Sequence, residues 1–348
     1  MKKIGFLSFN HWNDRQGSRV RSAKDSLMQS IELAEAAEEI GIDGAFFRVH
    51  HFAQQQSSPF PLLSAIAART TRLQVGTGVI DMRYQNPLAL AEEAAATDLI
   101  SGERLQLGVS RGSPQHAERG YETFGYVPET TDADMAAEKT DRFLAAVRGV
   151  GVATPNPERY APHTPLLPVT PLSDTLPERI WCGAGSRSTA TAAAIKGMNL
   201  MSSTLMTEDT GVAFEQLQRE QIDLYRGAWA AAGWGYRPSV SVSRGIIPII
   251  DDATAHYFGS DAGPGGPDQV GLIEGVMSRF GRQHVGSPEH LVDALSEDVA
   301  LDTADWVLIT ISNQLGVDFN ITLLTAIHDI GQTLGWNQTA PTTASALV

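Results

Sequence analysis

Short apolar runs alternate with amphipathic stretches along this chain, and glycine marks many of the changes. Ile4–Phe9 reads as a strand. Residues 24–40 carry Leu27, Ile31 and Ala34 at spacings of four and three, one face of a helix. Gly41 supplies a left-handed stop and Ile42 the apolar residue after it, as in a Schellman cap. Ala45–Val49 is a second strand and Pro59–Arg69 a second helix. Thr71–Gly112 repeats the theme: Leu73, Val75, Val79 and Ile80 form an apolar run broken by Gly76 and Gly78. Pro87 then opens a helix where its missing N–H costs nothing, Ser101-Gly102 ends it, and Leu105, Leu107 and Val109 make the next strand. Strand, crossover helix and strand form a parallel βαβ unit.

The pattern continues to the C-terminus. A helix falls near Asp134–Val147, strands at Arg179–Cys182, Met198–Ser202, Ser239–Ile250 and Trp306–Ile311, and helices at Ser188–Lys196, Val212–Ala232 and Gly316–Leu334. Ser287-Pro288-Glu289 is a helix start, with an N-cap, a proline at the first position and an acid in the first turn. Seven prolines between Gly149 and Pro177 forbid long regular structure, so that stretch is expected to be an extended surface excursion. Asp251–His284 includes GSDAGPGGPD, flexible by composition. Eight strands, each followed by a helical pattern, predict an α/β fold, a (β/α)8 TIM barrel with insertions after strands 4 and 7. An open doubly wound sheet is the rival, but it more often stops at fewer strands. No linker-rich boundary divides the chain, which gives one domain over 1–338 and a flexible tail at 339–348.

Composition narrows the partners. Lys and Arg number 26 against 40 Asp and Glu, a net charge of −14. That field disfavours nucleic acid and anionic membrane, and an anion can bind only where arginines or helix N-termini reverse the sign locally. Cys182 is the single cysteine, which fits a reducing cytoplasm. No run reaches the roughly 18 apolar residues of a membrane span, and the first residues read as a strand rather than a leader. The two Asn-X-Thr sequences at Asn320 and Asn337 are read as chance.

In such a barrel ligands gather at the C-terminal strand ends. That rule selects four segments. Gly183-Ala184-Gly185-Ser186-Arg187-Ser188-Thr189 follows a strand and opens a helix, where N–H groups attract anions and glycine permits close approach. A plain capped turn is the alternative. A dinucleotide fingerprint fits poorly, because Ser188 replaces its third glycine and no acid closes the next strand. Ser110-Arg111 ends the preceding strand, so Arg111 can face the same phosphate or lie in solvent. Thr77-Gly78-Val79 breaks a buried strand with small residues, suited either to a flat ligand or to a bulge. His50 and His51 are neighbours on a strand end and so point to opposite faces, which argues against one shared metal. One of them can move a proton near neutral pH, and a packed histidine explains the pair equally well. His11, near the end of the first strand, is a second proton-transfer candidate. Trp12, Tyr84, Tyr121, Phe124 and Tyr126 are candidates to line a pocket from loops. No cluster has metal-ligand spacing, and Gly108-Val109-Ser110-Arg111-Gly112 is not a serine-hydrolase elbow.

Taken together, these motifs resemble the bacterial luciferase-like flavin monooxygenases. The matching residues are Ile40–Gly44 followed by His50-His51-Phe52, Val75–Val79, Pro87–Gly112, Ile180–Thr189 and Gly286–Leu291, within roughly residues 4–335. The resemblance implies a (β/α)8 barrel holding reduced FMN at the strand C-termini. A separate flavin reductase would supply the FMN, and O2 would react to give a C4a-peroxyflavin that oxygenates a small organic substrate. It implies His50 as the catalytic histidine, a cis Gly78–Val79 peptide behind the flavin ring, and Arg111 with Ser186, Arg187, Ser188 and Thr189 as the phosphate clamp. Ser110 stands where luciferase has a reactive cysteine, and Val49 where the family usually has an acid. A mobile lid at Asp251–His284 and a homodimer are further implications. The rival readings are an F420-dependent hydride-transferring oxidoreductase of the same superfamily, a non-catalytic flavin-binding protein, and a barrel without flavin.

Overall fold

The structure, a computed structural model, describes residues 2–112, 116–208, 210–259, 268–273 and 276–336. The tail assigned to 339–348 and most of GSDAGPGGPD lie outside the described residues. In chain order come β1 (Lys3–Ser8), α1 (Ala23–Ile40), β2 (Gly44–Phe47), α2 (Pro59–Arg69), β3 (Gln74–Asp81), α3 (Pro87–Ser101), β4 (Leu105–Ser110) and α4 (Asp132–Val147). Then follow β5 (Ile180–Ala184), α5 (Arg187–Ile195), β6 (Asn199–Ser202), a short β7 (Leu205–Met206), α6 (Phe214–Ala232) and β8 (Val240–Pro248). The last third holds α7 (Asp252–Phe258), β9 (Gln269–Ile273), β10 (Val276–Phe280), β11 (Gln283–Gly286), α8 (Pro288–Ser296), α9 (Val299–Thr303), β12 (Trp306–Ile311) and α10 (Val317–Thr333).

Eight of these strands close a parallel barrel in the order β1-β2-β3-β4-β5-β6-β8-β12, with β12 returning to β1. This is the (β/α)8 architecture that the alternation of apolar runs and helices predicts. Leu7, Phe46, Trp181, Met201, Trp306 and Leu308 fill the inside of the barrel. A larger layer, with Ile4, Phe6, Phe47, Leu63, Ile66, Leu107 and Leu200 all at or near zero exposure, packs strands against helices. Each such side chain removed from water stabilises the fold by about 1.5–3 kcal/mol before entropy is counted.

The glycine stops are real. Gly41 adopts φ 103°, and the Ile42 N–H donates to the Ala37 carbonyl, closing the Schellman turn that aims the chain into β2. Gly102 does the same work before β4, at φ 66°. The buried face of α1 is rotated from the expected one. Ser26, Ser30, Leu33, Ala34 and Ala37 are buried, while Leu27 is 38% exposed. The two serines are buried because they bond Asn10 after β1: Ser26 Oγ donates to its carbonyl and Ser30 Oγ to its side chain.

The insertion after β4 is tied down at its far end by one carboxylate. Asp98 on α3 is fully buried; it accepts from Ser173 Oγ at 2.6 Å, Arg179 Nη2 at 2.7 Å and the Leu105 N–H at 3.1 Å. The proline-rich stretch is an irregular excursion, crossed by one antiparallel bridge between Ala153 and Leu167. Among the described residues, the insertion after β8 carries regular elements. It contains α7 and a β9–β10 hairpin, which extends β7 into a three-stranded antiparallel sheet. β8 pairs with β12 only up to Arg244, and from Gly245 onward with β11. No described helix is long and apolar enough to cross a membrane.

Candidate functional site

A cavity of about 500 Å3 opens at the C-terminal ends of the barrel strands. Its inner end is formed by Leu7, Gly78, Val79, Met201 and Leu308, with Arg48 beside them. Its outer end is formed by Ser110, Arg111, Gly112, Gly185, Ser186, Ser188 and Thr189. The Gly78–Val79 peptide is cis, as the resemblance implies, and the β3–β4 register shifts at that point. Glycine keeps the neighbourhood open: a Cβ on Gly183 would stand 3.1 Å from Val79 Cγ1, and one on Gly78 2.9 Å from Leu7. Thr77, one residue earlier, is fully buried and does not line the cavity. Its hydroxyl donates to the Gly108 carbonyl at 2.8 Å and accepts from the Gly108 N–H at 3.0 Å, pinning β3 to β4 beside the cis bond.

The outer end is a helix start. Ser186 caps α5 by accepting from the Thr189 N–H at 3.2 Å, and its hydroxyl meets those of Ser188 and Thr189 at 3.1 and 2.9 Å. Arg111 lines the same end, with no ion-pair partner among the described residues. Helix N–H groups, three hydroxyls and a guanidinium form a donor set that suits a phosphate. Gly183 and Gly185 line the cavity, but Ala184 does not: it is buried, and its carbonyl accepts from the Ser203 N–H and from Gln221 Nε2.

Arg187 departs from the expected clamp. Its Nε donates to Glu208 Oε2 and its Nη1 to Glu220 Oε2, each at 2.9 Å, and it lies outside the cavity lining. Two carboxylates on one guanidinium hold it out of the cavity lining. It still serves the helix start by neutralising acids that would otherwise repel an anion there.

The histidines are also placed differently from the expectation. Neither His50 nor His51 lines the cavity. Arg48 Nε donates to His50 Nε2 at 2.9 Å, so that ring nitrogen carries a lone pair. His51 stacks on Tyr84 at 4.3 Å and meets Phe124 edge-on, and burial pulls its pKa below the ordinary histidine value. Tyr84, Tyr121 and Phe124, expected near a pocket, pack on one another and on Phe52. Tyr126 lies under Lys139 Nζ. These aromatics, like Trp12, line neither this cavity nor the one beside it. Half-buried His11 stacks on Phe9 at 5.6 Å. Burial lowers its pKa, as do the charges of His116 and Arg48, so it is neutral at pH 7.

The residue that the sequence reading missed is Arg48. It lies two positions beyond barrel-facing Phe46, so strand alternation turns it to the same side, and a charge closing a buried apolar strand was the available signal. Also missed was a second cavity of about 870 Å3, beside the β8 handover from β12 to β11. Thr204 and Ser243 line both cavities. The second is walled by Phe9, Phe214, Phe258, Phe280 and Phe319 with Arg244, His284 and Asp298.

Comparison with known proteins follows the geometry. The chain is 28% identical over 220 residues to the oxygenase component of a flavin-dependent trigonelline monooxygenase from Acinetobacter baylyi, covering 58% of this chain and 59% of that one. It is 36% identical over 99 residues to an F420-dependent glucose-6-phosphate dehydrogenase from Mycolicibacterium gilvum, covering 26% and 30%. Against the curated relatives that it matches first, it spans less than two thirds of their length. The oxygenating constituent of 3,6-diketocamphane monooxygenase from Pseudomonas putida, solved in complex with FMN, superposes with a TM-score of 0.67 at 15% identity, covering 94% of this chain and 97% of that one. A family model described as luciferase-like monooxygenase matches residues 1–256, and the chain belongs to that family.

Proposed function

We propose that this protein is the oxygenase component of a two-component flavin monooxygenase. It takes reduced FMN from a separate flavin reductase and uses O2 to oxygenate a small organic substrate. The observation that carries this reading is the shape of the strand-end cavity. An apolar inner end faces the cis Gly78–Val79 peptide, and the outer end joins the α5 N-terminus to Arg111. Its volume of about 500 Å3 falls in the range of small-molecule sites, roughly 300–1,000 Å3.

Each part of the chain then has a task. Ser186, Ser188, Thr189, the first N–H groups of α5 and Arg111 bind the phosphate. Val79 backs the ring, with Gly183 leaving room beside it. Leu7, Met201 and Leu308 exclude water from the ring. Reduced FMN supplies the electrons that activate O2; the protein supplies position and electrostatics. The adjoining cavity, reached past Thr204 and Ser243, is the room for the substrate. His11, neutral and half-buried, lines neither cavity but stacks on Phe9 of the second one's wall, and is the candidate to accept a proton from that side.

Apoprotein mixed with FMN should give a yellow 1:1 complex, and the reduced complex should consume O2. A chain that binds no FMN, or whose reduced complex leaves O2 untouched, overturns the reading. The likeness to the F420-dependent dehydrogenase supports a second reading, hydride transfer with F420 in the same cavity. Parallel titration with the two cofactors separates them by which binds stoichiometrically.

A further inference from the structure

The second cavity, beside the handover of β8 from β12 to β11, has its own chemistry. Five phenylalanines line it together with Ile247, Ile311 and Leu323. Aromatic rings pack on one another offset or edge-on, so such walls suit a flat aromatic body. The volume of about 870 Å3 lies near the top of the range for small-molecule sites, roughly 300–1,000 Å3, which leaves room for more than one ring.

Among the described residues the lining carries four carboxylates, Glu215, Asp268, Glu297 and Asp298, against Arg244 and Arg282. Arg244 is engaged: its Nε and Nη2 donate to Asp298 at 2.7 and 3.1 Å, and its Nη1 donates to the Ser243 carbonyl at 2.9 Å. Asp268 is engaged too, by Arg279 Nη1 at 3.4 Å and by the Phe214 N–H at 2.8 Å. An entering anion would thus meet a surplus of carboxylates, with the buried guanidinium already taken. His284 differs from these groups. It lines the cavity, is 7% exposed, and makes no hydrogen bond or ion pair among the described residues. Burial, helped by the Arg244 charge, lowers its pKa from 6.5 to about 4, so at pH 7 the ring has one bare nitrogen and one N–H. A buried polar ring without a partner is costly unless a ligand completes it.

We propose that this cavity takes an uncharged aromatic compound bearing a hydroxyl group, with its ring among the phenylalanines and its hydroxyl on His284. The inference rests on the flavin reading above, since it names the class of substrate that the oxygenase would receive beside Thr204 and Ser243. A hydroxyl donates to the bare nitrogen or accepts from the N–H, so it satisfies either tautomer of His284. Ions fit less well there. An ammonium would meet the charge of Arg244, and a carboxylate that of Asp298, both of which act on His284.

The test is equilibrium dialysis of the full chain, with and without FMN, against 2-naphthol, naphthalene, 2-naphthoate and 2-naphthylmethylammonium. The wild type is expected to bind 2-naphthol about three- to tenfold more tightly than naphthalene, the worth of one net hydrogen bond, and more tightly than either ion. FMN should not displace it. His284→Phe should erase the preference for 2-naphthol over naphthalene. His284→Gln keeps a donor and an acceptor, should retain part of the preference, and serves if the phenylalanine variant folds poorly. Equal preference in wild type and His284→Phe, tighter binding of either ion, or displacement of 2-naphthol by FMN overturns the proposal and leaves the flavin reading standing. A chain that binds 2-naphthol through His284 but binds no FMN overturns the flavin reading, and with it the substrate role, while the class of ligand holds.

Discussion

Arg187 Nε and Glu208 Oε2 lie 2.9 Å apart, and this pairing keeps a guanidinium out of the strand-end cavity. Its effect on an anion is therefore indirect. Arg187→Met should leave Glu208 and Glu220 unopposed beside the α5 start and weaken FMN binding, whereas Glu208→Gln should tighten it. Both groups are about a third exposed, so each change should stay within about fivefold. Equilibrium titration of the two variants checks the opposite signs.

Arg111 should behave otherwise. On the proposed flavin reading, Arg111→Ala would remove a charge-assisted bond to the phosphate and should weaken FMN about 10- to 100-fold. Binding of riboflavin, which has no phosphate, should not change. Equal losses for the two ligands would remove Arg111 from the phosphate end.

The floor of the second cavity should set the acid stability of the protein. Arg244 and Asp298 form a bidentate pair at 2.7 and 3.1 Å, with side chains 3% and 5% exposed. Asp298→Asn leaves the arginine buried without its counter-charge and should cost about 3–5 kcal/mol in denaturant unfolding.

Nearby His284 is held neutral: burial lowers its pKa from 6.5 to about 4, helped by the Arg244 charge. The unfolded chain therefore binds a proton that the folded chain refuses. Stability is complete above about pH 6.5 and falls as pH drops from there to about 4. Burial pushes Asp298 up, but the Arg244 charge and hydrogen bonds outweigh it and hold the carboxyl below its usual range. That contribution is lost only at still lower pH. Denaturant unfolding of His284→Gln at pH 7 and pH 5 should show a smaller difference than the wild type.

Cys182 should be silent in the native protein. It is buried on β5, and burial pushes its thiol up to about 12. Thiolate reagents should label it only after unfolding, so one unfolding-dependent equivalent is expected from the single cysteine.

The frame of the fold was legible because its signals are local. Pro59, Pro87 and Ser287-Pro288 start helices where expected, and Gly41 and Gly102 stop them. The β9–β10 hairpin was not, because it completes a sheet with Leu205–Met206, over sixty residues away in sequence, and no local period records such a partner. The site divided along the same line. Ser110, Arg111, Gly183, Gly185, Ser186, Ser188 and Thr189 reach the cavity because strand-end position alone puts them there. Arg187 does not, because Glu208 and Glu220 come from other segments and outcompete the expected ligand. His50 drew attention by its type, while the nearby Arg48 occupies the cavity wall.

β8 runs on to Pro248 past both of its barrel neighbours, since its register with β6 ends at Val242 and with β12 at Arg244. The rim of the barrel is thus stepped rather than level, and β11 fills the step from Gly245. An insertion hung on that step can lengthen, shorten or change sequence without moving any strand of the closed ring. The same barrel can therefore be fitted to differently shaped reactants at one edge while the opposite edge, from β3 to α5, keeps its form.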